Sequence, residues 1–278
     1  MLLIDYRAGS DELREPLRKM ELPAKSGNIV RVPLINRTGL VMKISSVFSY
    51  YGGKSKIVNC YPPAKYLPII EPFAGAAAYA WRHADCDVWI NDIDPRTYSI
   101  WRFLISPDAL DWIEQYIPVS IEKGTRISDL LPAGAPIGLL ALMQAEANRG
   151  TQGAKGVHNQ VTSIGAACWC RFLPKMREVI PRIAHWRVTN HSYSALPNEK
   201  ATWFIDPPYS NKAGTRYRQM SVNYELLAGW CRTRLGQVIV CENLGASWLP
   251  FEPIKHRQIS IKSRYQHANT QEVMWHSE

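Results

Sequence analysis

From residue 66 to residue 118 the chain alternates between two kinds of apolar pattern. "YLPII" reads as a strand and gives way to a glycine-bearing turn, then to the alanine-rich helical stretch "AAAYAWRHA". "DVWIN" reads as a second strand, followed by an acidic turn and a helical pattern from Pro95 with a break near Pro107. Strands that alternate with helices in this way pair in parallel and are covered by the helices between them. Further strands are expected at "ATWFI" and "QVIVC", with a terminal pair at "RQISIKS" and "QEVMWHS". The period of two in "RQISIKS" suits a half-exposed antiparallel strand. The expected class is therefore α/β, with a mostly parallel sheet and an antiparallel strand near the C-terminus.

The regularity fails from about residue 119 to residue 165, where "LPAGAP" and "NRGTQGAKGVHN" surround one apolar segment, "IGLLALMQAEA". A helix is expected over 165–183, with Cys168, Phe172, Met176, Val179 and Ile183 on one stripe. Residues 119–183 thus read as a small, mainly helical insertion, and 42–118 with 184–278 as the domain that carries the sheet. Residues 1–41 read as an appendage, a strand "LLIDY" and a short helix interrupted by Pro16, because Met42 opens a natural start at "MKISSVFSYYGGKSKI".

Charge bears on the partner. The chain of 278 residues carries a net charge of +9 with a pI near 9.3, which favours a polyanion. Between Glu122 and Arg187 nine Lys or Arg stand against four Asp or Glu, so five of the surplus nine charges fall in the insertion and its flank. No apolar run reaches the roughly 18 residues of a membrane span. The charged opening lacks the apolar region of a signal peptide, which places the chain in the cytoplasm. The six cysteines are scattered, with one "CWC" and no second pair to complete a zinc site, so free thiols and no metal are expected.

Ligands of an open parallel sheet gather beyond the carboxyl ends of its strands. After "YLPII" comes Glu71-Pro72-Phe73-Ala74-Gly75, whose glycine permits a tight turn. After "DVWI" comes Asn91-Asp92-Ile93-Asp94, with Asp92 17 residues beyond Gly75, near the spacing at which an acid meets a ribose. A strand-to-helix turn with a helix cap would leave the same trace. After "TWFI" comes Asp206-Pro207-Pro208-Tyr209, and the two prolines lack N–H groups, so this edge offers acceptors and an aromatic ring. An amine on a flat heterocycle fits such an edge.

"YYGGK", "EPFAG", "NDID" and "DPPY", in this order along the chain, resemble motifs X, I, II and IV of the DNA adenine-N6 methyltransferases of the Dam type, the D12 class in its alpha arrangement. The tail "NTQEVMWH" is similar to the family's last motif, a glutamate before a short apolar strand. The resemblance spans about residues 43–276 and implies a Rossmann-like methyltransferase sheet, S-adenosylmethionine as methyl donor, no metal, and double-stranded DNA as substrate. It implies that Tyr50 and Lys54 line the donor pocket, that Glu71, Phe73 and Gly75 shape its methionine side, and that Asp92 holds the ribose. Asp206 would stand between donor and base, with Pro207 offering a carbonyl, Pro208 completing the ledge and Tyr209 stacking on a flipped adenine. Arg149, Lys155, His158 and Asn159, with Gln160, form the expected DNA-contacting loop. Size and family habit imply a compact orphan enzyme of a phage or prophage, a monomer or weak dimer.

Three features depart from the family, one being a central insertion that is short and only loosely similar to known recognition domains. The turn after "EPFAG" continues as Ala76-Ala77-Ala78 where a second glycine or small polar residue is usual, and Tyr50 stands where some relatives have tryptophan. RNA or protein-glutamine methyltransferases more often carry Asn before Pro-Pro-Tyr, and cytosine-N4 enzymes Ser. A DNA-binding relative without activity would need neither Asp206 nor the donor turn.

Overall fold

The computed structural model describes residues 44–149, 159–210, 222–254 and 271–278. The expected appendage over 1–41 and the strand expected at "RQISIKS" lie outside them. Residues 44–278 make one compact unit. Its sheet contains β1 (Ile69–Glu71), β2 (Val88–Asn91), β3 (Arg187–Thr189), β4 (Ala201–Ile205), β5 (Gly236–Asn243), β6 (Glu252–Pro253) and β7 (Glu272–Ser277), in the order β3-β2-β1-β4-β5-β7-β6. β1 pairs in parallel with β2 and β4, β2 with β3, and β4 with β5. β7 runs antiparallel between β5 and β6, the reversed strand expected near the C-terminus. The fold is Rossmann-like α/β.

The central strands are buried on both faces, and their side chains alternate between two cores. Ile69, Val88, Ile90, Phe204, Ile239 and Cys241 face one cluster, whereas Ile70, Trp89, Trp203, Ile205, Val238 and Val240 face the other. The first cluster is covered by α1 (Ala78–Arg82), α2 (Pro95–Leu104), α3 (Ala109–Tyr116), α4 (Ile137–Ala147), α5 (Ser163–Trp169) and α6 (Phe172–Ile183). The second is covered by α7 (Tyr224–Arg232), whose Leu227, Ala228 and Cys231 turn inward.

Residues 119–183 are packed into this layer rather than standing apart. α4 lies so close to α2 that a Cβ on Gly138 would sit 2.1 Å from the Ser99 carbonyl oxygen. On the other side of α4, a Cβ on Gly165 would sit 1.9 Å from the Ala147 carbonyl oxygen. α6 leads directly into β3, a strand absent from the sequence expectation, as is α7. The single helix expected over 165–183 is two, because Trp169 and Phe172 both bury, with rings edge to face at 5.2 Å and Trp169 Nε1 donating to the Pro118 carbonyl. Thr162 caps α5 by accepting from the Gly165 amide, and Phe172, Met176, Val179 and Ile183 form the expected buried stripe on α6.

Candidate active site

Strand order reverses between β1 and β4, and a cleft opens there at the carboxyl ends of the strands. Its cavity volume is about 150 Å³, roughly ten times what one water needs by the same measure, so it has room for an organic ligand. Tyr50, Lys54, Glu71, Phe73, Gly75, Asp92 and Asp206, the residues expected at a donor site, all line this one cleft. Pro208 lines it too, whereas Pro207 is buried behind the ledge. Ser192 and Tyr193, in a short helical turn after β3, add a wall that sequence reasoning missed, and Tyr193 packs on Phe73 with ring centroids 5.4 Å apart.

The turn after β1 explains the cleft's floor. Gly75 has φ +48°, and Ala77 follows with φ +47°, so α1 cannot begin before Ala78 and the long alanine helix shrinks to one short element. The Tyr50 ring lies against Gly75, and a Cβ there would sit 2.7 Å from Tyr50 Cε1. The Gly75 carbonyl accepts from Trp101 Nε1 at 2.8 Å, which fixes the turn from the α2 side.

Asp92 is fixed by the same turn. Its Oδ2 accepts from the Gly75 amide at 2.8 Å and its Oδ1 from the Asp94 amide at 2.9 Å. Burial raises its carboxyl to about 7 even though the two amides act to lower it. Each oxygen retains a second lone pair for a ligand hydroxyl. Asp94 caps α2, accepting from the Arg96 amide ahead of Pro95 at the first helical position.

Lys54 is the cation at the centre of the cleft. It is buried, its Nζ lies 2.8 Å from Asp206 Oδ1, and it stands 4.7 Å from the centroid of the Tyr209 ring. The contact is a charge-assisted ion pair between the lysine and the buried carboxylate. Burial raises the Asp206 carboxyl, and Lys54 works against that rise. Glu71, 2% exposed, accepts from the Ala80 amide at 2.5 Å, and burial raises it to about 8. The Tyr209 hydroxyl donates to Glu272 Oε2 at 2.5 Å, and burial raises Glu272 as well. Glu71, Asp206 and Glu272 thus share the field of one lysine, which leaves the cleft rich in acceptors and suited to a cationic ligand.

Glu272 belongs to the tail motif, but nothing in the order of residues signals that it reaches Tyr209. Glu242 of β5 was not anticipated. Fully buried, it accepts from the Ser210 amide and Trp248 Nε1 through Oε2, each at 3.0 Å, and so pins the exit of the Asp-Pro-Pro-Tyr ledge. The Tyr224 hydroxyl donates to the Pro208 carbonyl at 2.6 Å from α7.

The residues expected on the DNA loop are distributed differently. Lys155 and His158 lie outside the described residues. Asn159 binds within the chain, accepting from the Ser128 amide at 3.0 Å and donating to Ser128 Oγ at 2.7 Å. Arg149 turns to Glu146, with Nε donating to Oε2 at 2.9 Å. Arg177 pairs with Glu114, Arg182 with Asp85, and Arg187 lies over the Trp89 ring, so much of the basic surplus is met inside the chain. Exposed Lys123 and Arg126 make no ion pair among the described residues, and Arg126 is bridged to exposed Gln160 at the end of the loop.

All six cysteines are free thiols. Among the described residues no cluster of metal-ligating side chains occurs, and no helix is long and apolar enough to cross a membrane. No protein-family profile matches the chain, and no curated protein matches it.

Proposed function

We propose that the chain is an S-adenosylmethionine-dependent methyltransferase. The observation that carries this reading is the cleft at the switch point, where Asp92, held by the Gly75 turn, lines the same cavity as Glu71 and Asp206, the latter two in the field of buried Lys54. The residues fit the donor. Asp92 keeps lone pairs for ribose hydroxyls, and the Gly75 turn leaves no room for a side chain against the Tyr50 ring. Asp206, ion-paired with Lys54, offers an acceptor to an ammonium, and Glu71, raised to about 8 by burial, is a carboxyl that the field of a bound sulfonium would ionise.

More particularly, we read it as a DNA adenine-N6 methyltransferase, a cytoplasmic enzyme acting on double-stranded DNA. When bound, the donor supplies an electrophilic methyl group. The N6 lone pair of adenine is delocalised into the ring and must be drawn toward tetrahedral geometry before it can react. Asp206 and the Pro207 carbonyl each accept an N6–H, and Asp206 takes the proton that N6 sheds as its new substituent arrives. Lys54 keeps Asp206 ionised until the amine replaces it. Tyr209, held by Glu272, is the ring on which the flipped base stacks. Positioning and electrostatics supply most of the acceleration.

Sequencing that detects modified bases, applied to DNA from cells expressing the wild-type chain, is expected to find N6-methyladenine at one motif. Asp206→Ala is expected to abolish it while duplex binding persists. Wild-type DNA without N6-methyladenine would overturn the DNA reading, and near-normal transfer by Asp206→Ala would overturn the mechanism.

A further inference from the structure

Away from the ledge, α4 buries a carboxylate in its last turn. Glu146 is 3% exposed and accepts at both oxygens. Oε1 receives Lys175 Nζ from α6 at 2.8 Å and the Ser49 backbone amide at 3.0 Å. Oε2 receives Arg149 Nε at 2.9 Å and the Arg149 Nη2 donor beside it. Burial alone would raise this carboxyl, but Lys175 and Arg149 hold it below the ordinary range. Lys175 is itself pushed down by burial, against the pull of Glu146.

Such a cluster stabilises the fold weakly, because desolvating the charges offsets most of their attraction. Its geometry indicates another use. Ser49 immediately precedes Tyr50, the residue whose ring covers Gly75 and walls the cleft. Val47 and Phe48 are buried just upstream, and Phe48 meets both Trp101 and Tyr50. The segment is therefore anchored by packing on one side of Ser49 and by the Glu146 carboxylate at Ser49 itself. Downstream, Gly52 and Gly53 are exposed, and the Gly53 amide turns back to the Tyr50 carbonyl at 3.4 Å ahead of buried Lys54.

We infer that Glu146 is a positioning residue for the ligand cleft: through the Ser49 amide it sets the Tyr50 wall, and through Arg149 it ties that wall to the region between α4 and α5. The inference rests on the cleft being the methyl-donor site. Its consequence is that the two cations and the amide are not equivalent. Lys175 and Arg149 compensate the buried charge, whereas the amide transmits the position.

The test compares Lys175→Met with the double variant Glu146→Ala/Lys175→Met, which removes the carboxylate without stranding a buried ammonium. Affinity for S-adenosylmethionine is measured by calorimetric titration, and amide hydrogen exchange is followed across residues 44–54. Lys175→Met is expected to keep affinity within about twofold, since a charge-assisted bond from Ser49 remains, while the double variant loses about tenfold. Exchange at Ser49 and Tyr50 is expected to quicken at least about tenfold in the double variant alone. Parallel losses of affinity in both variants would mean that Glu146 acts only through stability and would overturn the inference, as would unchanged exchange in the double variant. If the wild-type chain binds no S-adenosylmethionine, the methyl-donor reading falls, and the exchange comparison alone decides whether Glu146 sets the Tyr50 wall.

Discussion

Replacing Gly75 by alanine tests the floor of the cleft most directly. The backbone there has φ +48°, a left-handed conformation that costs a residue with a Cβ about 1–2 kcal/mol. The new methyl would sit 2.7 Å from Tyr50 Cε1 and 3.0 Å from Cδ1, nearer than van der Waals contact allows. Because Tyr50 is only half-buried, its ring can swing outward, so overpacking falls at the low end of its range, about 1 kcal/mol. Together the two terms predict a loss of about 2–3 kcal/mol, read as a fall in Tm of about 4–12 °C for a unit of this size. The outward swing moves a wall of the cleft, so S-adenosylmethionine affinity should fall about tenfold. Gly245→Ala supplies the control, since Gly245 has φ +98° with open space around its missing Cβ, so it reports strain without a clash. In a cycle with Tyr50→Ala, the double variant should recover about 1 kcal/mol relative to the sum of the singles. Additive losses, or a Gly75→Ala protein within about 0.5 kcal/mol of wild type, would show that ring and turn do not meet as described.

Other perturbations address the electrostatics and the packing. Glu71 and Asp92 are raised to about 8 and about 7, so the folded chain holds protons between about pH 4.5 and 8 that the unfolded chain has released. Stability should therefore fall as pH rises through that window, by a few kcal/mol in total, and a urea midpoint higher at pH 8.5 than at pH 5.5 would refute the assignment. Tyr209→Phe removes the donor to Glu272 and should cost about 1–3 kcal/mol in chemical denaturation; an unchanged midpoint would count against that bond. Lys123→Ala with Arg126→Ala should weaken duplex binding and flatten the salt dependence by nearly two charges, and a slope equal to wild type would remove this patch from the interface. Gly138→Ala drives a methyl into the Ser99 carbonyl, which is backbone, and should cost about 3 kcal/mol or more by thermal unfolding.

The parts of the site that could be read from the chain were those whose chemistry is local. A glycine forced to positive φ, an acid directly past a strand, and a carboxylate before two prolines each leave a trace within a few positions of sequence. β3 left almost none, because a three-residue edge strand with an exposed arginine shows no period. The partners of Tyr209 and of the Asp-Pro-Pro-Tyr exit were illegible for another reason. Glu272 lies 63 residues from Tyr209, and Glu242 lies 32 from Ser210, so only sheet pairing brings them together. Arg149 illustrates the converse, since its partner Glu146 sits one helical turn earlier and the spacing was visible, whereas the direction of its guanidinium required the packing of α4 and α6.

The two close approaches of α4 carry a consequence for anyone who would retarget such a chain. With Gly138 pressed on the Ser99 backbone and Gly165 on the Ala147 backbone, α4 is fastened at both ends to neighbours that cannot yield. A foreign segment cut in at residues 119 and 183 would have to reproduce both seams, so α4 behaves as part of the helical layer that covers the sheet and not as a portable domain.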